Sequence, residues 1–242
     1  MTNNHNPISS PKIKELETEA EQVIVHTVKA AESEVRRWPA LAALILIGGA
    51  FTILSDRLKF APIWLLLPLI AGLAIPAIIA RLQGRHRLNH WLLVAIGLVI
   101  TIAEIGSITL LLITLPDKSI AAVSLLSDAA ILWITNVFVF ALWYWQLDGG
   151  GPYGRSFEAG RNYQQESELL FVQLSLKSER PDLANWRPKF TDYLFVAFNT
   201  STAFSPTDTA VLSTRLKALT MLQSSLSLVT LATLAARAIN IL

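Results

Sequence analysis

Glu104 lies mid-way along an apolar run from Trp91 to Leu115. A carboxylate at the centre of a bilayer costs roughly 2.5–3.5 kcal/mol on insertion scales, so such a side chain takes a partner, a proton or water. One reading makes Glu104 a proton or cation site. The other makes it a protonated acid, hydrogen-bonded to a Ser or Thr on a neighbouring span. A second polar group follows a short apolar stretch, Tyr193 to Phe198, and consists of Asn199, Thr200, Ser201 and Thr202. Hydroxyls and backbone carbonyls in that setting replace part of an ion's hydration shell. Asp128 is a second acid. If its span starts near Ile120, Asp128 lies about 12 Å in and Glu104 about 16 Å from the same face, at 1.5 Å per residue, so the two would meet. Ser127-Asp128 also reads as a helix N-terminus, with Ser127 the cap and Asp128 at the positive end of the dipole. Asn136 remains mid-span on either reading, as an interhelical hydrogen-bonding residue.

Other chemistries lack their residues. The chain has no cysteine, and its four histidines (His5, His26, His86, His90) fall in no metal-ligand spacing. No catalytic motif, metal site or cofactor site is expected, and the reading is not that of an enzyme. Gly149-Gly150-Gly151 lacks the Lys and Ser/Thr of a phosphate loop and reads as a helix stop. Twenty Lys and Arg against 18 acids leave no broad basic face for nucleic acid.

The elements that hold these residues belong to a membrane protein. Of the 242 residues, 52% are hydrophobic and 16% charged, against about 25% charged in an ordinary soluble domain. A transmembrane helix needs about 20 mostly apolar residues. Five runs qualify as spans: Pro39–Ser55 (short), Ala61–Ala80 (with Pro68 and Pro76 expected to kink it), Trp91–Leu115, a run that begins between Ile120 and Asp128 and ends at Gln146, and Leu219–Ile239. Trp38, Trp64, Trp91, Trp143 and Trp145 lie near span ends, as in an aromatic belt. On this alternation, sixteen of the twenty Lys and Arg fall on one side. The positive-inside rule then puts the N-terminus in the cytoplasm.

The chain divides into an amphipathic helix (1–38), a four-helix transmembrane region (39–146), a polar connecting loop (147–190) and a re-entrant helix plus last span (191–242). In the first, apolar residues recur at helical spacing between Ile13 and Val35. Six glutamates flank that stripe and argue against docking on anionic lipid. Residues 13–35 therefore bind a partner helix, from another protein or another copy, or pack on their own protein. Leu169-Leu170-Phe171-Val172 is a small strand or a membrane-surface segment. Asp192 caps a helix of roughly 10 to 12 residues, too short to cross. A short apolar helix, a hydroxyl cluster and a full span together have the shape of a re-entrant loop. Ser205-Pro206-Thr207-Asp208 reads as the capping box that starts the last helix, with Ser205 the cap, Pro206 first and Asp208 third. Gln223, Ser224, Ser225, Ser227, Thr230 and Thr233 either join helices or line a polar path.

The pattern of Asp192, Leu194, Phe195, Phe198, Thr200, Thr202 and Asp208, followed by a hydrophobic helix, resembles the pore-helix, filter and inner-helix module of potassium channels. Ala203-Phe204-Ser205-Pro206 stands where that family carries its glycine–aromatic–glycine filter, so the filter is degenerate. Most of the last 100 residues are similar, more closely, to a group of uncharacterised bacterial integral membrane proteins. That likeness rests on Trp145 through Pro152, on Asp192 through Asp208 and on Ala235 through Asn240. It implies a bacterial cytoplasmic (inner) membrane location.

The expectation is an all-α polytopic membrane protein with five transmembrane helices, an N-terminal amphipathic helix and a re-entrant helix before the last span. Its function is a pore-loop or transport role for a small cation, which on a single loop requires a homo-oligomer. The alternative is a non-conducting scaffold or assembly protein acting through its N-terminal helix.

Overall fold

The computed structural model describes residues 38–117, 119–155, 163–183, 186–206 and 208–239, without the side chains of Ile63, Arg237 and Ala238. The expected amphipathic helix, residues 13–35, lies outside the described residues. Six helices carry the architecture: α1 (Trp38–Ile53), α2 (Ile63–Leu82), α3 (His86–Thr114), α4 (Ala122–Leu147), α5 (Phe190–Ala203) and α6 (Thr214–Ile239). Four of them, α2, α3, α4 and α6, are long and apolar enough to cross a membrane. Helix α1 has 16 residues, about 24 Å at 1.5 Å per residue.

Helix α4 is the centre of the bundle, packing against α1, α3, α5 and α6. In a bilayer, lipid competes equally for apolar surface, so close packing and interhelical hydrogen bonds join helices. Small residues supply the closeness here. Ala40 and Ala43 on α1, Ala103 on α3, and Ala129 and Ala141 on α4 are all buried. Trp38, Trp64 and Trp91 are exposed, whereas Trp143 and Trp145 are buried inside the bundle and belong to no belt. Helix α2 runs unbroken through Pro68 and Pro76.

Three local expectations are corrected. Helix α4 starts at Ala122, not at Ser127. Ser127 Oγ donates to the Val123 carbonyl one turn back (3.0 Å), and the buried Asp128 is bonded by Ser55 and Arg57 in the connection after α1. Asp192 is the third helical residue of α5 rather than its cap: its carboxylate accepts the Lys189 N–H (2.6 Å). Asn199 to Thr202 form the end of this helix, as expected, with Ala203 its last residue. The last helix starts at Thr214, not at Pro206. Residues Ala210–Val211 (β2) are held instead by an antiparallel pairing with Leu169–Leu170 (β1), the first of the two readings of that stretch. Ser213 takes the cap role, its Oγ accepting the Leu216 N–H (3.3 Å).

Helix α5 runs antiparallel to α4, from Tyr193 beside Asp148 to Ser201 beside Asn136. It runs parallel to α6, with Ala197 and Ser201 opposite Gln223 and Ser227. The chain must therefore double back between Phe204 and Ser213. The reversal begins at Phe204, which sits at φ +55° in the left-handed region. A side chain there costs roughly 1–2 kcal/mol. Phe204→Gly is expected to raise stability by about 1 kcal/mol, read as a higher thermal midpoint in detergent. A lower midpoint would show that the half-exposed ring contributes more by contact than its backbone costs.

Candidate functional site

Glu104 on α3 is completely buried, and neither carboxyl oxygen has a hydrogen-bond partner. Ser107, one turn along the same face, is completely buried with its hydroxyl unpaired. Across the α3–α4 contact, the Asn136 side chain acts on the Glu104 carboxyl, yet Asn136 Nδ2 also makes no hydrogen bond. Three oxygens and one amide donor are thus left over at one point in the bundle. Unpaired buried polar groups cost about 1–3 kcal/mol each, so the spot is suited to a proton, a small cation or a water.

The far side of Asn136 is fully engaged. Ser201 Oγ donates to Asn136 Oδ1 (3.1 Å) and accepts from Gln223 Nε2 (2.9 Å). Gln223 Nε2 also bonds the Ala197 carbonyl (2.7 Å), and Gln223 Oε1 accepts from the Tyr144 hydroxyl (2.5 Å). Ser227 Oγ donates to the Ser201 carbonyl (2.6 Å) and accepts from Trp133 Nε1 (3.0 Å). Every link donates in one direction, from Tyr144 through Gln223 and Ser201 to Asn136. Such chains polarise one another. Amides do not give up protons near neutral pH, so this chain fixes Asn136 against Glu104 rather than relaying charge. Ser201→Ala removes two of the links and leaves Asn136 Oδ1 and a Gln223 N–H without that partner. The expected loss is about 1–3 kcal/mol, checked by thermal unfolding in detergent; an unchanged midpoint would deny the chain its structural part.

The expected hydroxyl cluster does not converge. Thr200 is buried and bonds the Val196 carbonyl of its own helix (2.8 Å). Thr202 is exposed and bonds the Phe198 carbonyl (3.0 Å), and Asn199 is half-buried. Of the four, Ser201 bonds Asn136 directly, and the Thr200 hydroxyl lies beside the Tyr144 hydroxyl that starts the chain. On α6, Gln223 and Ser227 join helices, while Ser225, Thr230 and Thr233 bond carbonyls of their own helix. Asp128 stands at the other end of α4, held by Ser55 N–H (3.2 Å), Ser55 Oγ (3.0 Å) and Arg57 (3.3 Å). It is tied to the α1–α2 connection and is not part of the Asn136 group. Ser205, Pro206 and Asp208 lie in the return segment before β2.

A second polar centre closes the Arg-rich end of the bundle, and sequence reasoning read it only as a helix stop. Helix α4 does end at Leu147, and Gly149, Gly150 and Gly151 all have positive φ. Asp148 is completely buried. One of its oxygens accepts from Glu168 N–H (2.6 Å) and Leu169 N–H (3.1 Å). The other accepts from the Tyr163 and Tyr193 hydroxyls (2.5 and 2.6 Å). Burial, with Asp148 beside it, pushes the Tyr163 phenol far above its ordinary range, so it stays a donor. Arg155 is also completely buried. Its guanidinium bonds the Asp148 and Trp145 carbonyls (2.5 and 2.7 Å), at the negative end of the α4 dipole. It lies 4.8 Å from the centre of the Tyr193 ring. A Cβ at Gly154 would come 2.3 Å from the Gly149 carbonyl oxygen. Gly154→Ala is therefore expected to cost about 1–3 kcal/mol, with the thermal midpoint again the check. The signal was present in the sequence: Asp148 and Arg155 bracket a Gly- and Pro-rich turn directly after a span.

Among the described residues no group of three or more His, Asp or Glu is disposed to hold a metal ion. Comparison with protein-family models, with curated proteins and with solved structures finds no match.

Proposed function

We propose that this integral membrane protein moves a small cation or proton across the bilayer, with Glu104 as the exchange site. The observation that carries the reading is a completely buried carboxyl on an apolar span with both oxygens unpaired. It lies about ten residues, roughly 15 Å, from the end of its helix, close to mid-bilayer depth. Ions and protons cross where such a residue can trade one partner for another. In this reading α1 is a fifth, short span, and α5 is re-entrant. Helix α5 enters beside the end of α4, reaches Asn136 and returns to the same end. The α5–return–α6 order is that of a pore-loop module, and several copies would surround an axis. By the positive-inside rule the Arg-rich end faces the cytoplasm of a bacterial inner membrane.

The test is ion flux into liposomes holding the purified protein, scanning K⁺, Na⁺, H⁺ and Cl⁻. A cation or proton flux lost in Glu104→Gln supports the reading. Absence of flux from folded, inserted protein favours a non-conducting scaffold that acts through residues 13–35. The closed Tyr144–Gln223–Ser201–Asn136 network, which leaves no hydroxyl of that set free to line a path, is what speaks for the scaffold. Its test is a stoichiometric partner that co-purifies and is lost when residues 1–37 are deleted.

A further inference from the structure

A groove of about 170 Å³ opens between α1, α2, α3 and α4 at the Arg-rich end. Its walls are apolar and partly small, with Ala40, Ala74, Ala77 and Gly97 among them. Its polar residues are Arg81, Asn89 and Gln146, all toward one end, and no acid lines it. We infer that this groove binds an anionic phospholipid, one acyl chain lying between the helices and the phosphate group on Arg81 and Asn89.

Depth and charge both point to that occupant. Along α2 the lining runs from Arg81 to Ala74, and along α3 from Asn89 to Ile100. At 1.5 Å per residue these are about 10 and 16 Å. One leaflet of hydrocarbon is about 15 Å deep. A chain seated in the groove therefore keeps its headgroup level with Arg81, where the lipid phosphates lie. Arg81 has no ion pair among the described residues, and Arg85 and Arg87 follow on the same connection without one. Basic pockets between helices at the cytoplasmic face suit anionic headgroups.

The inference rests on the bilayer setting alone and stands whether or not the protein moves a cation.

The experiment is native mass spectrometry of the full-length protein, after incubation with mixed micelles of phosphatidylglycerol and phosphatidylcholine in equal amounts. Wild type is expected to retain one phospholipid and to prefer phosphatidylglycerol. Arg81→Gln should reduce that preference about fivefold, the effect of one cation near a lipid surface. Ala77→Phe fills the groove from a buried wall and should remove the retained lipid. If Ala77→Phe fails to fold, Ile78→Trp at the exposed rim gives the same readout. Retention undiminished in a folded groove-filling variant, or no wild-type preference between the two lipids, overturns the inference. So does a preference that Arg81→Gln leaves unchanged.

Discussion

Asp148→Ala is expected to destabilise the protein by about 3–5 kcal/mol, the range seen when one partner is removed from a buried charged group. The carboxylate accepts four hydrogen bonds from three separate segments: Glu168 and Leu169 at the start of β1, the Tyr163 turn and the start of α5. Removing it leaves four buried donors without an acceptor and takes the negative charge from beside the buried Arg155. Asp148→Asn is expected to rescue part of the loss, because its carbonyl keeps the two backbone N–H bonds and the tyrosine hydroxyls can turn to accept from its amide, while the negative charge beside Arg155 is gone. Tyr193→Phe removes a single link and should cost about 1–3 kcal/mol. The three variants are compared by thermal unfolding in mild detergent and by retention of a monodisperse peak. Asp148→Ala melting with wild type would refute the view that this turn locks α5 onto α4.

Glu104→Gln has the opposite profile. The replacement keeps shape and removes the exchangeable proton and the negative charge. Flux in liposomes is expected to fall at least about tenfold, equivalent to roughly 1.4 kcal/mol on the rate-limiting step. Stability should be unchanged or higher, because a neutral amide at this depth avoids the cost of an ionised acid. Glu104→Asp should retain part of the flux, since the chemistry survives and only the reach changes. A Glu104→Gln protein that conducts like wild type would remove the carboxyl from the pathway. A variant that loses flux because it has lost its fold would be recognised by its melting curve.

The long apolar runs were legible in the sequence because helix formation in a bilayer is decided locally: every backbone group must be satisfied within its own segment. Four helices long enough to cross follow from that rule, as does the helix stop at Gly149-Gly150-Gly151. The helix starts were misread for the converse reason. Ser127-Asp128 and Ser205-Pro206-Asp208 both have the composition of caps, but capping is one of several uses for those side chains. Asp128 is claimed by Ser55 and Arg57, more than seventy residues earlier in the chain. The residues around Ala210 are claimed by pairing with Leu169–Leu170. Neither claim has a local signature.

The candidate site divides in the same way. Glu104 and Asn136 stood out by themselves, because a carboxyl or an amide inside an apolar run needs an explanation wherever the helix goes. That Asn136 faces Glu104 on one side and Ser201 on the other, while Thr200 sits beside Tyr144 and Thr202 turns outward, depends on the rotation of α5 about its axis. That rotation is set by the packing of Tyr193, Val196 and Ala197 on α4 and α6. The sequence by itself determined which segments are apolar enough for a bilayer and which polar residues lie within them. Only the tertiary structure decided which of those residues meet, because hydrogen bonds across helices depend on the crossing and rotation of whole elements, which no single segment encodes.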